Sequence, residues 1–159
     1  MRKAPQRKHL RRLDRSCGPA GSPIYLVTTC THGRRRVLLE EPLVHEIVPA
    51  LAQCALRRAW AIGRYVVMPD HVHFFCSPTD DMTPLSRWVQ YWKSLASRRW
   101  PITDDQPIWQ TDFWDAQLRN DESYEAKWDY VRSNPVRHGL STSPEAWPYQ
   151  GELHTLSLD

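Results

Sequence analysis

Met68-Pro69-Asp70-His71-Val72-His73-Phe74-Phe75-Cys76 reads as a tight turn running into a strand. A strand alternates its side chains, so His71, His73 and Phe75 share one face while Val72, Phe74 and Cys76 share the other. The second row is apolar enough to face a core. The first presents two imidazoles side by side on a surface that the core does not need. Neutral imidazole is a common metal ligand, and two on one rigid strand make half of a cation site. Among seven histidines in 159 residues such a pair arises by chance often enough that the spacing alone is a weak motif.

The flanking segments give that strand its place. Trp60–Val67 is a second strand, joined to it by the Met68-Pro69-Asp70 turn. Upstream, Ile24-Tyr-Leu-Val-Thr-Thr-Cys-Thr31 is β-branched and aromatic, hence a strand, and Gly33-Arg34-Arg35-Arg36 is a basic turn after it. Pro42 opens a helix with the stripe Val44, Ile47, Val48, Leu51 and Ala55, in which Pro49 predicts a kink or a later start. Thr83, as N-cap, and Pro84 open another helix, with the stripe Leu85, Trp88, Val89, Trp92, Leu95 and Ala96. A polar break at 101–107 leads to a short strand near Ile108–Gln110. A last helix runs from about Asp121 to Ser133 and stops at Asn134-Pro135. The order β-α-β-β-α-β plus one helix predicts an α+β fold of the ferredoxin-like, RRM-like split βαβ type. Its antiparallel sheet carries two helices on one face and leaves the other face, with the histidine pair, open. Such a fold hosts many activities and decides none.

Composition sets outer bounds. Hydrophobic content of 41% and charged content of 25% in 159 residues are globular values for one domain with a real core. No apolar run approaches the roughly 20 residues of a membrane span, and no apolar stretch follows the basic N-terminus as it would in a secretion signal. The expectation is a cytoplasmic, nucleoid-associated protein with no membrane partner. Cys17, Cys30, Cys54 and Cys76 have no zinc-like spacing and read as reduced thiols, with Cys54 and Cys76 in the core. Residues 1–36 carry ten Lys or Arg against one acid, Asp14, whereas the remainder of the chain is net acidic. A basic arm on an acidic body suits a polyanion partner. Domain organisation follows: a basic arm at 1–22, a folded domain at 23–140 and an irregular tail at 141–159.

On the last helix, Tyr124, Trp128 and Val131 form the apolar stripe. Tyr130 lies about 200° around from Trp128 and points away from that stripe. Asn134 follows one turn later on the Tyr130 face. A phenol off the buried face is available for chemistry, or it lies against a second neighbour.

Three motifs then occur in order. Met68-Pro69-Asp70-His71-Val72-His73-Phe74 resembles the "HUH" motif (His, hydrophobic, His) of single-tyrosine transposases. Trp109-Gln110-x-x-Phe113-Trp114-Asp115 and Asp129-Tyr130-Val131-x-x-Asn134-Pro135-Val136-Arg137-x-Gly139-Leu140 resemble later signatures of one branch, the REP-associated tyrosine transposases. This branch is related to the smallest bacterial insertion-sequence transposases, and the resemblance covers roughly residues 23–140.

The resemblance implies an activity. Tyr130 matches the nucleophile, His71 and His73 match metal ligands, and Asn134 matches a position whose amide can complete the metal site. The implied enzyme nicks and joins single-stranded DNA at REP-like hairpins through a 5′-phosphotyrosine intermediate, with Mg²⁺ or Mn²⁺ and no nucleotide cofactor. Arg7, Lys8, Arg11, Arg12 and Arg15 on the arm, with Arg34, Arg35 and Arg36 at the first turn, are the candidates for DNA contacts. The branch resembles monomers with the helix acting in cis; a helix-swapped dimer is the alternative. Two other readings stand beside it: a non-catalytic ferredoxin-like DNA- or RNA-binding module, and a domesticated transposase that binds but no longer cleaves.

Overall fold

The computed structural model describes residues 22–41, 43–57, 59–80, 83–100, 107–118 and 121–156. The elements are β1 (Ile24–Cys30), α1 (Val44–Arg57), β2 (Trp60–Val67), β3 (His71–Pro78), α2 (Leu85–Arg98), β4 (Trp114–Leu118), α3 (Asp121–Arg132), a single helical turn α4 (Asn134–Arg137) and β5 (Gln150–Glu152). The five strands form one sheet in the order β4-β1-β3-β2-β5, and every neighbouring pair is antiparallel. The expected α+β split βαβ architecture is present, with the histidine strand at its centre.

Alternation along β3 divides the core as the sequence implies. Val72, Phe74 and Cys76 join Val27, Ile62, Leu51, Trp88 and Trp92 in the larger cluster, under α1 and α2. Phe74 meets the rings of Trp88 and Trp92 edge-on, at centroid distances of 5.7 and 5.4 Å. α1 begins at Val44, two residues after Pro42, and contains Pro49. The N-cap of α2 is Pro84, which has no side-chain hydrogen bond to offer, in place of the expected Thr83, whose carbonyl accepts from Trp60 Nε1 at 2.8 Å. Cys54 and Cys76 are buried, as expected, and so is Cys30.

The second face differs from the expected open one. Phe75, Ile24, Val66, Met68 and Leu118 lie on it and are too apolar to leave in water, so α3 and the segment after Leu140 cover them. Tyr124 and Trp128 of α3 meet Phe75 edge-on at 4.8 and 6.3 Å. Arg64 of β2 ties α3 down: its guanidinium lies over the Tyr124 and Trp128 rings and pairs with Glu125 and Glu152, both at 3.0 Å. At Gly63 a Cβ would come within 2.7 Å of Leu156 Cδ1 and 3.0 Å of Tyr124 Oη, so the bare backbone lets this cover close.

Two further expectations change. The ladder strand beside β1 is Trp114–Leu118, whereas the 108–110 segment makes one bridge, Trp109 to Thr31, at the end of β1. The segment after Leu140 is not irregular throughout: Gln150–Glu152 pairs with Arg64–Val66 as β5, and Trp147 Nε1 donates to the Val67 carbonyl at 3.0 Å. No helix among the described residues is long and apolar enough to cross a membrane.

Candidate functional site

The β2–β3 turn delivers the first functional residues. Met68 N–H donates to the His71 carbonyl at 2.8 Å, closing the turn. The Thr31 and Leu38 N–H groups fix its outside by donating to the Asp70 and Pro69 carbonyls, both at 2.9 Å. His71 and His73 then stand on the α3 side of the sheet with ring centroids 4.7 Å apart.

Each ring is oriented from behind. His71 Nδ1 lies 2.7 Å from Asp70 Oδ1, and Asp70 Oδ2 accepts from Arg34 Nε at 2.9 Å. His73 Nδ1 lies 2.8 Å from Thr28 Oγ1, its cross-strand partner on β1. A carboxylate behind His71 places the proton on Nδ1 and leaves Nε2 with its lone pair. Both Nε2 atoms face the side chain of Asn134, with the amide nitrogen 2.9 Å from His73 Nε2 and 3.4 Å from His71 Nε2.

Electrostatics keep both rings neutral. Burial pulls the His73 pKa down to about 3, helped by the neighbouring His71 and by Arg137, Arg34 and His138. Burial also lowers that of His71, against the opposing pull of Asp70. Burial alone would raise the Asp70 carboxyl, but hydrogen bonds from His71 and Arg34 outweigh it and hold the group below its usual range. The neutral imidazoles leave lone pairs for a metal ion, and the cationic side chains of Arg34 and Arg137 close by suit a phosphate.

The last helix ends at this site. Ser133 Oγ donates back to the carbonyls of Asp129 and Tyr130, α3 stops, and Asn134 begins the short α4 with Pro135 in its first turn. The break separates two residues that an unbroken helix would keep on one face. Asn134 is turned inward and is 6% exposed; Tyr130 remains outside and is 60% exposed. Arg137 links them: its guanidinium lies 3.8 Å from the Tyr130 ring centroid and donates to the Tyr130 carbonyl at 3.0 Å and to Asn134 Oδ1 at 3.1 Å. Gly139, at φ +69°, closes α4 in the left-handed conformation that favours glycine.

The remaining expected site residues fall in two groups. Arg7, Lys8, Arg11, Arg12 and Arg15 lie outside the described residues. Of the turn arginines, Arg34 holds Asp70, and Arg35 donates to the Pro107 and His32 carbonyls, at 2.8 and 3.2 Å. Arg36 is exposed. Sequence reasoning missed Asp70, Thr28 and Arg137 as supports of the site. For Asp70 a signal existed, since a carboxylate next to a candidate ligand is a common orienting group. Among the described residues no group of three or more His, Cys, Asp or Glu side chains forms a ligand set. The groups that do come together are two imidazole nitrogens and the Asn134 amide; with the amide turned so that Oδ1 leaves Arg137 and faces the imidazoles, the set fits a hard to borderline divalent cation.

Known proteins resemble this chain in sequence and in fold. Residues 22–132 match the family model described as "Transposase IS200 like". A REP-associated tyrosine transposase of Escherichia coli K12 is 32% identical over 93 residues, spanning 58% of this chain and 54% of that protein, so the match covers about half of that relative's length. A Haemophilus influenzae protein that carries the same name provisionally is 24% identical over 137 residues, 79% of this chain and 77% of its own. A solved REP-associated tyrosine transposase bound to a REP hairpin superposes with a TM-score of 0.71 at 25% identity, covering 86% of this chain and 79% of that one. A Deinococcus radiodurans protein, provisionally named a transposase, shares the fold at a TM-score of 0.53 and 19% identity, over 84% of this chain and 97% of its own.

Proposed function

Since the chain belongs to the IS200-like transposase family, we propose that it nicks and rejoins single-stranded DNA at REP-like hairpins, with Tyr130 as nucleophile and a divalent cation at His71, His73 and Asn134. The observation that carries this reading is the meeting of both Nε2 atoms with the Asn134 amide at the end of the helix bearing the exposed Tyr130.

The chemistry assigns each side chain a task. His71, His73 and Asn134 would hold a Mg²⁺ or Mn²⁺ ion, which would supply charge stabilisation to the scissile phosphate. Tyr130 Oη attacks phosphorus in line and loses its proton to solvent. The bond to the 3′ oxygen breaks, that oxygen takes up a proton, and the DNA is left as a 5′-phosphotyrosine and a free 3′-hydroxyl. The ester bond energy stays in the link, so a different 3′-hydroxyl can reverse the step. Asp70 and Thr28 hold the imidazoles in the tautomer that presents Nε2. Arg137 holds Asn134 Oδ1 and lies over the Tyr130 ring, so a cation held by Asn134 would have to draw that oxygen from Arg137. Tyr130 acts in cis in this reading, supported by α3 lying on its own sheet through Arg64 and Glu125.

Incubation with a REP-like hairpin and Mn²⁺, followed by a denaturing gel, tests the reading. A covalent protein–DNA band is expected; hairpin binding without that band would favour the binding-only alternatives.

Two outcomes follow from the supporting residues. Asp70→Asn removes the charge behind His71 and should weaken Mn²⁺ binding about 10- to 100-fold, read from free Mn²⁺ by electron paramagnetic resonance. Hairpin affinity in chelator should stay level. An unchanged Mn²⁺ affinity would deny Asp70 its orienting part. Replacing Arg7, Arg11, Arg12 and Arg15 with Gln should weaken hairpin binding and flatten its dependence on salt, by about 0.7–0.9 in log–log slope for each phosphate that is no longer neutralised. An unchanged slope would leave the arm out of DNA recognition.

A further inference from the structure

Among the described residues two large hydrophobic side chains are exposed, Tyr130 at 60% and Trp114 at 41%. Tyr130 has a place in the reaction. Trp114 has none, and its position in the sheet is fixed by register. Thr28 of β1 pairs with His73 on one side and with Trp114 on the other. Residues directly opposite in an antiparallel pair share a face. The Thr28–His73 hydrogen bond shows which face this is. Trp114 therefore stands in the same cross-strand row as His73, two strand spacings or about 10 Å away, on the surface that carries the histidine pair.

That face is covered unevenly. α3 lies over the β2–β3 side through Tyr124, Trp128 and Arg64. At the other end, on edge strand β4, the Trp114 indole stays partly in water. The histidine pair thus lies between the helix that bears Tyr130 and an exposed indole. The loop leading into Trp114 is also anchored: buried Lys93 donates to the Gln110 and Asp112 carbonyls at 2.8 and 3.0 Å, and Gln110 N–H donates to the Cys30 carbonyl at 2.9 Å. A rigidly placed, half-exposed indole makes a stacking platform. The exposed Asp112 two residues before it argues for a base there and against a phosphate.

We infer that Trp114 stacks on an unpaired nucleobase of the DNA strand close to the scissile phosphate, within the few nucleotides that a separation of about 10 Å allows. This rests on the single-strand reading of the histidine site. It makes Trp114 a positioning residue that holds the strand on the β4 side while Tyr130 approaches from the α3 side. Stacking tolerates any base, so the contact fixes strand path and leaves sequence choice to other groups.

The test uses the full chain in chelator, so that no cleavage occurs, and compares a DNA hairpin with and without a single-stranded extension of about ten nucleotides. The extension should tighten binding by the wild type. Trp114→Ala should lose about 5- to 150-fold of that gain, the range for one base–aromatic stack, while binding the bare hairpin as the wild type does. Trp114→Phe should keep most of it. One abasic site moved along the extension should reproduce the loss at a single position in the wild type and add nothing in Trp114→Ala. If Trp114→Ala keeps the full gain, with or without a lower thermal midpoint, the ring serves its own fold and the inference is overturned. If the wild type gains nothing from the extension, the single-strand reading of the site fails and the stacking role fails with it.

Discussion

Tyr130→Phe should abolish the covalent adduct and lower strand cleavage by about a thousandfold or more, because the attacking oxygen is the only atom removed. The ring is 60% exposed and supports little core, so the thermal midpoint should stay within about a degree or two of the wild type. The ring face under Arg137 is also retained, so the contact at 3.8 Å survives the substitution. Tyr124→Phe and Tyr149→Phe serve as controls. Tyr124 is buried against Phe75, and Tyr149 stands against Trp147 at 5.3 Å, so both rings serve packing and both variants should cleave. Cleavage by Tyr130→Phe at the wild-type rate would move the nucleophile elsewhere.

Loss of either histidine should be comparably severe and should act through a different step. His71→Ala and His73→Ala each remove one of the two nitrogens that face Asn134, and Mn²⁺ affinity should fall about a hundredfold or more. Cleavage should fall with it, while hairpin affinity in chelator holds. Some stability is lost too, on the order of 1–3 kcal/mol, since Asp70 or Thr28 loses a part-buried partner. Measuring Mn²⁺ binding below the thermal midpoint separates that effect from loss of the ligand. Normal Mn²⁺ binding by both variants would remove the cation from this pair of residues.

Much of the fold is legible in the chain. The histidine strand announces its own alternation, and Val72, Phe74 and Cys76 do enter the core that it implies. Tyr130 does stand off the Tyr124–Trp128–Val131 stripe. The expectation of an open second face fails at Phe75, which lies on the histidine face: a buried phenylalanine there already requires a cover. The α3 stripe, with its tyrosine and tryptophan, is that cover. β4 is harder to see because Trp114-Asp115-Ala116-Gln117-Leu118 is an edge strand without β-branched residues, while Ile108-Trp109-Gln110 looks more strand-like and makes only a bridge. β5 is three residues long and contains a glycine, too short for any periodicity to register. The supports of the site are hidden for another reason. Thr28 reaches His73 across 45 residues of sequence, and Arg34 reaches Asp70 across 36, so both depend on strand register and loop path that local pattern does not encode. Arg137 makes its contacts across the helix break at Ser133, where Asn134 turns inward while Tyr130 stays outside, and helical periodicity does not announce that break.

The most direct test of the central claim is the chemical identity of the protein–DNA link. Trypsin cuts after Lys127 and Arg132, which isolates Trp128-Asp129-Tyr130-Val131-Arg132 with Tyr130 as its single tyrosine. After reaction with a hairpin substrate and Mn²⁺, then nuclease trimming, mass spectrometry should find this peptide carrying a nucleotide 5′-phosphate on the phenol. A nucleotide attached to any other peptide, or joined through its 3′-phosphate, would contradict the assignment.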